Sequence, residues 1–242
     1  MRVKATLSYN GNKFYGFQRQ SKTEQTVVET IEKALQSLGI KSKIRGSGRT
    51  DRGVHATGQV VDFTLPEFWQ KKSLKELKER LNQKLRDVRF HHIKEADNNF
   101  HSQYSAKIRV YRYLIKTTQP SVFENEYVSF YKIKEPKILQ EALELYIGKH
   151  NFKNFKKEGS PTTSDIREIY NVKLKRLKNY YAIYFYASGY LRSQVRMMIE
   201  GALKVESGEL TINELKEQLE CKKKHFTTLA QAQGLYLARV LY

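Results

Sequence analysis

Segments with the periodicity of β-strands alternate with segments of helical periodicity along the whole chain, and this alternation constrains the fold more than any other sequence feature. In the first half, residues 2–8 and 59–65 carry apolar side chains at every second position, as in a half-buried strand. Between them, Val27, Ile31 and Leu35 form an apolar helical stripe. This order of elements predicts a sheet covered by helices.

The second half repeats the order of the elements, though not their residues. Strands are predicted at residues 108–116, 166–177, 180–187 and 235–241, and helices at residues 138–146 and 191–205. No linker rich in Pro, Gly or Ser separates the halves. We therefore predict an α+β fold of two similar domains, residues 1–103 and 104–242, each with an antiparallel or mixed sheet and covering helices.

The charge of the chain favours a polyanionic partner. Its 242 residues include 44 Lys and Arg against 25 Asp and Glu, a formal net charge of +19, and the basic residues are interleaved with Tyr and Phe throughout. This distribution favours nucleic acid over a membrane surface, because no segment is an amphipathic helix with a concentrated basic face. The single cysteine, Cys221, fits a reducing compartment. With no signal-like or membrane-spanning apolar run, we expect a cytoplasmic protein.

Residues 46–59 form a glycine-rich segment that carries the strongest chemical signal. It lacks the Gly-Lys-Ser/Thr of a P-loop, and Asp51 occupies the third glycine position of a dinucleotide fingerprint. The segment instead places one carboxylate between Arg49 and Arg52, and in an extended backbone Arg49 and Asp51 project to the same side. The neighbouring cations favour an ionised carboxylate suited to act as nucleophile or base. Taken alone, the spacing favours an Asp–Arg turn that only shapes the loop.

Residues 47–56, Ser-Gly-Arg-Thr-Asp-Arg-Gly-Val-His-Ala, resemble the signature loop of the tRNA pseudouridine synthase A family. Further segments resemble motifs of the same family in the same order: residues 9–20, 26–35, 100–113, 189–197 and 234–237. The resemblance therefore spans nearly the whole chain. It implies two α+β domains whose sheets join across a central catalytic cleft, with helices on the outer faces.

The resemblance also assigns site residues position by position. It implies that Asp51 is the catalytic aspartate, on the N-terminal domain, and that Tyr111 is the active-site tyrosine, on the C-terminal domain. Arg49 corresponds to the arginine that displaces and holds the target nucleotide, and Arg196 to the arginine that pairs with the aspartate. Where family members often have Ala-Arg-Phe, this chain has Ser-Gln-Tyr, so that Gln103 removes a cation.

The implied reaction isomerises uridine to pseudouridine at positions 38, 39 and 40 of the tRNA anticodon stem-loop, by a homodimeric enzyme. The isomerisation is redox-neutral and needs no group donor, so we expect neither cofactor nor metal. His91, His92 and His101 could form a metal cluster, but strand and loop positions are the favoured interpretation. Asp51 could attack C1′ or C6 or abstract a proton, and the sequence is compatible with all three routes.

Two alternatives come from other functional classes. A non-catalytic RNA-binding protein on the same scaffold is disfavoured because Asp51, Arg49 and Tyr111 are all present. A hydrolase with an aspartate nucleophile, such as a glycosidase, usually needs a second positioned carboxylate, and the sequence marks none.

Overall fold

The computed structural model of the chain describes residues 1–159 and 162–242. Two compact units are present: unit 1 comprises residues 1–107 and 236–242, and unit 2 comprises residues 108–235. The units differ from the predicted domains 1–103 and 104–242 mainly in the last strand, which lies in unit 1 apart from its first residue.

Unit 1 is built on a mixed sheet. Its elements are β1 (Arg2–Tyr9), α1 (Val27–Gln36), β2 (Arg45–Gly46), β3 (His55–Thr64), α2 (Glu67–Gln70), α3 (Leu74–Lys84), β4 (Val88–Glu95) and β10 (Leu235–Leu241). The strand order is β4-β1-β3-β10, with short β2 also on β3. All these pairings are antiparallel except β3 with β10, in which Tyr236 and Leu237 lie opposite His55 and Ala56.

The core of unit 1 follows from the strand and helix patterns. Strand β1 buries every second residue, including Val3, Ala5 and Leu7, on its inner face. Helix α1 begins where the Thr26 side chain accepts a hydrogen bond from the Glu29 amide, which satisfies a backbone donor that the first turn leaves open. Helix α3 packs on β4 and α1 contacts α3, so the apolar stripes of both helices are covered.

Unit 2 also contains a mixed sheet. Its elements are β5 (Ile108–Lys116), β6 (Ser129–Phe130), α4 (Pro136–Glu144), β7 (Gly148–Asn151), β8 (Ile166–Leu177), β9 (Tyr180–Ala187), α5 (Gln194–Ser207) and α6 (Ile212–Leu219). The order is β5-β9-β8-β7, all antiparallel, and β6 pairs with β5 in parallel. Helix α4 packs on α5 and contacts β8, and α6 packs on α5.

The structure confirms the predicted α+β class, with mixed sheets and packed helices. Strand β3 begins at His55, four residues before the predicted start, because β10 supplies a pairing partner there. Helix α5 begins at Gln194 and not at Leu191, because Ser193 has a left-handed backbone (φ 59°) that a helix cannot contain. The short elements β2, β6, β7 and α2 were not predicted.

Candidate active-site loop and its supporting residues

The loop that carries Asp51 connects β2 to β3 in unit 1, and Gln59 of β3 fastens its first residues. The Gln59 amide oxygen accepts from the Ser47 hydroxyl at 2.7 Å, and its amide nitrogen donates to the Gly48 carbonyl at 2.8 Å. Both Gln59 and Ser47 are buried. Because a buried amide with satisfied partners has one favourable orientation, Gln59 fixes the direction in which the loop leaves the sheet.

Thr50 anchors the middle of the loop. Its hydroxyl lies 2.8 Å from the Tyr9 hydroxyl, and its carbonyl accepts from the Phe17 amide at 3.0 Å. Burial raises the pKa of Tyr9 to about 12, so this phenol stays protonated and keeps its hydrogen at neutral pH. Thr50 is buried, whereas its two neighbours are accessible: Arg49 is exposed and Asp51 is half-buried. This arrangement presents a carboxylate and a guanidinium at the surface of unit 1 from an immobilised backbone.

A tight turn follows Asp51. The Asp51 carbonyl accepts from the Val54 amide at 3.1 Å, and Gly53 adopts a left-handed backbone (φ 79°) that glycine tolerates without strain. Arg52, the residue that adds a charge beside Asp51, lies with its guanidinium 4.3 Å from the centre of the Tyr15 ring. A cation–π contact therefore holds Arg52 against unit 1.

His55, the histidine of the Gly-Val-His-Ala motif, is a supporting residue of the loop for which we predict no catalytic role. It is buried at the start of β3, where its Nδ1 accepts from the Gly11 amide at 3.0 Å and its ring stacks on Tyr236 at 4.7 Å. The Gly11 carbonyl in turn accepts from the Gly53 amide at 3.3 Å. His55 thus joins the end of the loop to the segment after β1 and to β10. Its place in the Gly-Val-His-Ala motif is the only sequence signal for this role.

Tyr111 lies on β5 in unit 2, where it is 7% exposed. Its ring meets the Tyr190 ring edge to face, with centroids 5.1 Å apart and planes at 87°. Tyr113, two residues along the same strand, is fully buried, and its hydroxyl donates to the Gln231 carbonyl at 3.0 Å. Tyr111 is therefore held in a fixed ring orientation and keeps some accessible surface, whereas Tyr113 is a core residue.

Arg196 lies in the first turn of α5, and it is half-buried. Its Nε donates to the Ala230 carbonyl at 2.7 Å, while its own carbonyl accepts from the Ala230 amide at 3.2 Å. This pair of bonds ties the guanidinium to the segment that precedes β10. Of the predicted site residues, Arg49 and Asp51 share one loop of unit 1, and Tyr111 and Arg196 both belong to unit 2.

Among residues 1–159 and 162–242, no three or more His, Cys, Asp or Glu side chains come together as metal ligands would. None of the helices in the same ranges is both long and apolar enough to cross a bilayer.

Comparison with known proteins identifies the class to which this fold and loop belong. The sequence profile of the tRNA pseudouridine synthase family matches residues 5–105 and 142–242. A tRNA pseudouridine synthase A of Wolinella succinogenes is 41% identical over 242 residues, covering 98% of this chain and 93% of the relative. Those of Helicobacter hepaticus (41%, covering 99% and 98%) and Campylobacter jejuni (34%, covering all of both chains) are similar throughout.

The fold and the matches define an RNA-modifying isomerase. More particularly, the chain belongs to the tRNA pseudouridine synthase family, whose members convert uridine to pseudouridine in tRNA. The family resemblance inferred from the sequence is thereby confirmed. The roles predicted for Asp51, Arg49, Tyr111 and Arg196 stay predictions.

Proposed function

We propose that this chain converts uridine to pseudouridine at positions 38, 39 and 40 of the tRNA anticodon stem-loop, with Asp51 as nucleophile or base. The observation that carries the proposal is the anchored loop. Thr50 is held inside unit 1 by the Tyr9 hydroxyl at 2.8 Å, so that Arg49 and Asp51 on either side are presented from a fixed backbone. Fixed geometry is what a reaction on a displaced nucleotide requires.

The chemistry needs one ionised carboxylate and no oxidant or reductant. The C1′–N1 bond of uridine breaks, the uracil turns, and C1′ joins C5, while C5 loses a proton and N1 gains one. The carboxylate of Asp51 supports this by attacking C1′, attacking C6 or accepting a proton, and it is regenerated in each case. Because product and substrate are isomers, the chain's own side chains suffice.

The target base must leave its stacked position before it can react, which costs a few kcal/mol. We propose that Arg49, exposed beside Asp51, holds the displaced nucleotide. Tyr111, whose ring orientation is fixed by Tyr190, stacks on the displaced base and returns about 1–3 kcal/mol. The hydroxyl of Tyr111 is also the proposed relay for a proton.

Arg196 completes the proposed site as the cation that pairs with Asp51. Its Nε donates to the Ala230 carbonyl at 2.7 Å, which fixes where the guanidinium is held. A guanidinium in this role stabilises the negative charge of a carboxylate when substrate excludes water.

The proposal also covers the oligomeric state and the cellular location of the enzyme. We infer a cytoplasmic homodimer in which one tRNA touches both subunits, as the family resemblance implies. The formal charge of +19 suits a large folded polyanion such as tRNA. tRNA is read mainly by its shape and its phosphates, for which distributed lysine and arginine side chains are appropriate.

Carbodiimide mapping of tRNA from cells that lack the gene tests the proposal. We expect pseudouridine to be absent at positions 38–40 and to return when the wild-type gene is restored. Restoring Asp51→Asn should not return it, whereas Asp97→Asn, an exposed carboxylate of unit 1, should serve as the active control. Pseudouridine persisting at all three positions in the deletion strain would refute the proposed substrate.

A further inference from the structure

A short surface turn formed by residues 101–105 of unit 1, called here the 101–105 turn, is closed by its own hydrogen bonds. The Ser105 amide donates to the His101 carbonyl at 2.9 Å, and the His101 amide donates to the Ser105 hydroxyl at 3.1 Å. The His101 Nδ1 accepts from the amides of Gln103 and Tyr104 at 3.2 and 3.4 Å. These bonds close the turn on itself and define its conformation.

A buried carboxylate fixes the turn to the sheet. Asp62 of β3 is fully buried, and its Oδ1 accepts from the Ser102 amide at 2.8 Å. Its Oδ2 accepts from Arg2 and from two nitrogens of Arg45, at 2.7 and 3.1 Å for Arg45. The Tyr242 hydroxyl donates to the Ser102 carbonyl at 2.8 Å. Asp62 is therefore a charge with satisfied partners, and it places the turn in one position.

The turn is joined to the strand that leads into the Asp51 loop. The Ser102 hydroxyl donates to the carbonyl of Arg45, the first residue of β2, at 2.8 Å. Arg45 precedes Asp51 by six residues, so their backbones lie at most about 22 Å apart. A tRNA bound at Asp51 is therefore long enough to reach the turn as well.

This rigid turn presents an aromatic ring to solvent. Tyr104 is 78% exposed, and its ring centroid lies 4.3 Å from that of His101. Single exposed aromatics are common, but this one stands on an anchored backbone. The Arg45 side chain is 43% exposed, and the Lys4 ammonium lies over the neighbouring rings of Phe100 and Tyr242. Aromatic and cationic groups together suit a base and its phosphate.

We propose that Tyr104 stacks on an unpaired base of the tRNA, next to the nucleotide that reacts, and that Asp62 is the positioning residue for this contact. The proposal rests on tRNA being the substrate. The Tyr104 ring supplies the stacking face. Binding costs no entropy for ordering the turn, because its hydrogen bonds fix the backbone before RNA binds. Arg45 provides the charge for the adjoining phosphate, and the same Asp62 carboxylate orients Arg45 and the Ser102 amide.

Fluorescence tests the contact directly. The chain has a single tryptophan, Trp69, which is buried and 2% exposed, so Trp69→Phe gives a background without indole emission. In that background, Tyr104→Trp should show emission that tRNA quenches saturably, with the same Kd that filter binding gives. A perfectly paired RNA duplex of equal length should quench it weakly. Unchanged emission at saturating tRNA overturns the proposal.

Kinetics separate stacking from a structural effect. Tyr104→Ala should raise KM for tRNA about tenfold with kcat within about twofold, and Tyr104→Phe, which keeps the ring, should match the wild type. Phe68→Ala removes another exposed aromatic of unit 1 and should leave KM unchanged. Asp62→Asn should raise KM at least as much as Tyr104→Ala does, and adding Tyr104→Ala to Asp62→Asn should raise KM no further.

The outcomes distinguish this proposal from the proposed function. An active wild type in which Tyr104→Ala behaves as Phe68→Ala refutes the stacking contact alone. A wild type that binds tRNA with quenching at position 104 but forms no pseudouridine refutes the proposed reaction and leaves the contact standing. Equal KM values for Tyr104→Phe and Tyr104→Ala, both raised, also count against stacking.

Discussion

The hydroxyl groups of Tyr9 and Thr50 lie 2.8 Å apart in the interior of unit 1, and this contact joins the last residue of β1 to the residue before Asp51. The contact matters because Thr50 is the only buried residue of residues 49–51. Loss of this bond should let the loop move while the sheet below it stays intact.

Tyr9→Phe keeps the ring and removes the hydroxyl. We expect the free energy of unfolding to fall by about 1 kcal/mol, because the buried Thr50 hydroxyl loses a partner. We expect kcat to fall about tenfold with KM little changed, since a misplacement of about 1 Å in a reacting group costs up to about a hundredfold. Thermal melts and steady-state kinetics with tRNA measure both quantities.

Asn82→Ala is the matched control for Tyr9→Phe. Asn82 of α3 makes two hydrogen bonds with the Phe90 backbone, at 2.7 and 2.9 Å, and lies outside the loop and its supports. This variant should lose stability with an unchanged kcat. If Tyr9→Phe also keeps the wild-type kcat, the Tyr9 hydroxyl does not position Asp51.

Gly11→Ala tests the close approach between the segment after β1 and the turn that follows Asp51. A Cβ atom at Gly11 would lie 2.1 Å from the Val54 carbonyl oxygen, so one of the two backbones must shift. We expect the variant to lose about 1–3 kcal/mol of stability and most of its activity. Gly189→Ala, where an added Cβ meets nothing within 4 Å, should melt close to the wild type. Equal melting temperatures for the two variants would show that the close approach of these two backbones does not constrain the loop.

The affinity for tRNA should depend steeply on salt. If about six phosphates are neutralised, the binding constant should fall by about a thousandfold between roughly 50 and 200 mM monovalent salt. The formal charge of +19 provides the cations for these contacts. Filter binding across a salt series measures the slope. A binding constant that barely changes with salt would show that the surplus charge does not serve RNA binding.

The elements with clear periodicity could be predicted from the sequence, and those set by tertiary partners could not. Strands β5, β8, β9 and β10 have the predicted bounds, because their alternating apolar residues are long runs with clear ends. The early start of β3 depends on β10, which lies some 180 residues later in the chain. The late start of α5 depends on the left-handed backbone of Ser193, which no apolar pattern reveals.

The same distinction applies to the candidate site. The Gly-Arg-Thr-Asp loop is legible as a motif because its residue types are rare at that spacing. The residues that hold the loop cannot be recognised as a motif in the sequence. Tyr9, Gln59 and His55 occupy ordinary strand positions and act through contacts with segments distant in sequence. In the sequence, Asp62 is one polar residue in the alternating pattern of β3, as in any half-buried strand. Only the structure shows that two arginines and the Ser102 amide surround it.

The most direct test of the account is a single-turnover assay of Asp51→Asn with tRNA tritiated at uridine C5, because formation of the new C1′–C5 bond releases that hydrogen. We predict tritium release at least about a thousandfold slower than the wild type, or about 4 kcal/mol of lost transition-state stabilisation, with tRNA affinity within about tenfold. Asp97→Asn should react at the wild-type rate. Tritium release by Asp51→Asn within about tenfold of the wild-type rate would contradict the central claim that the Asp51 carboxylate performs the chemistry.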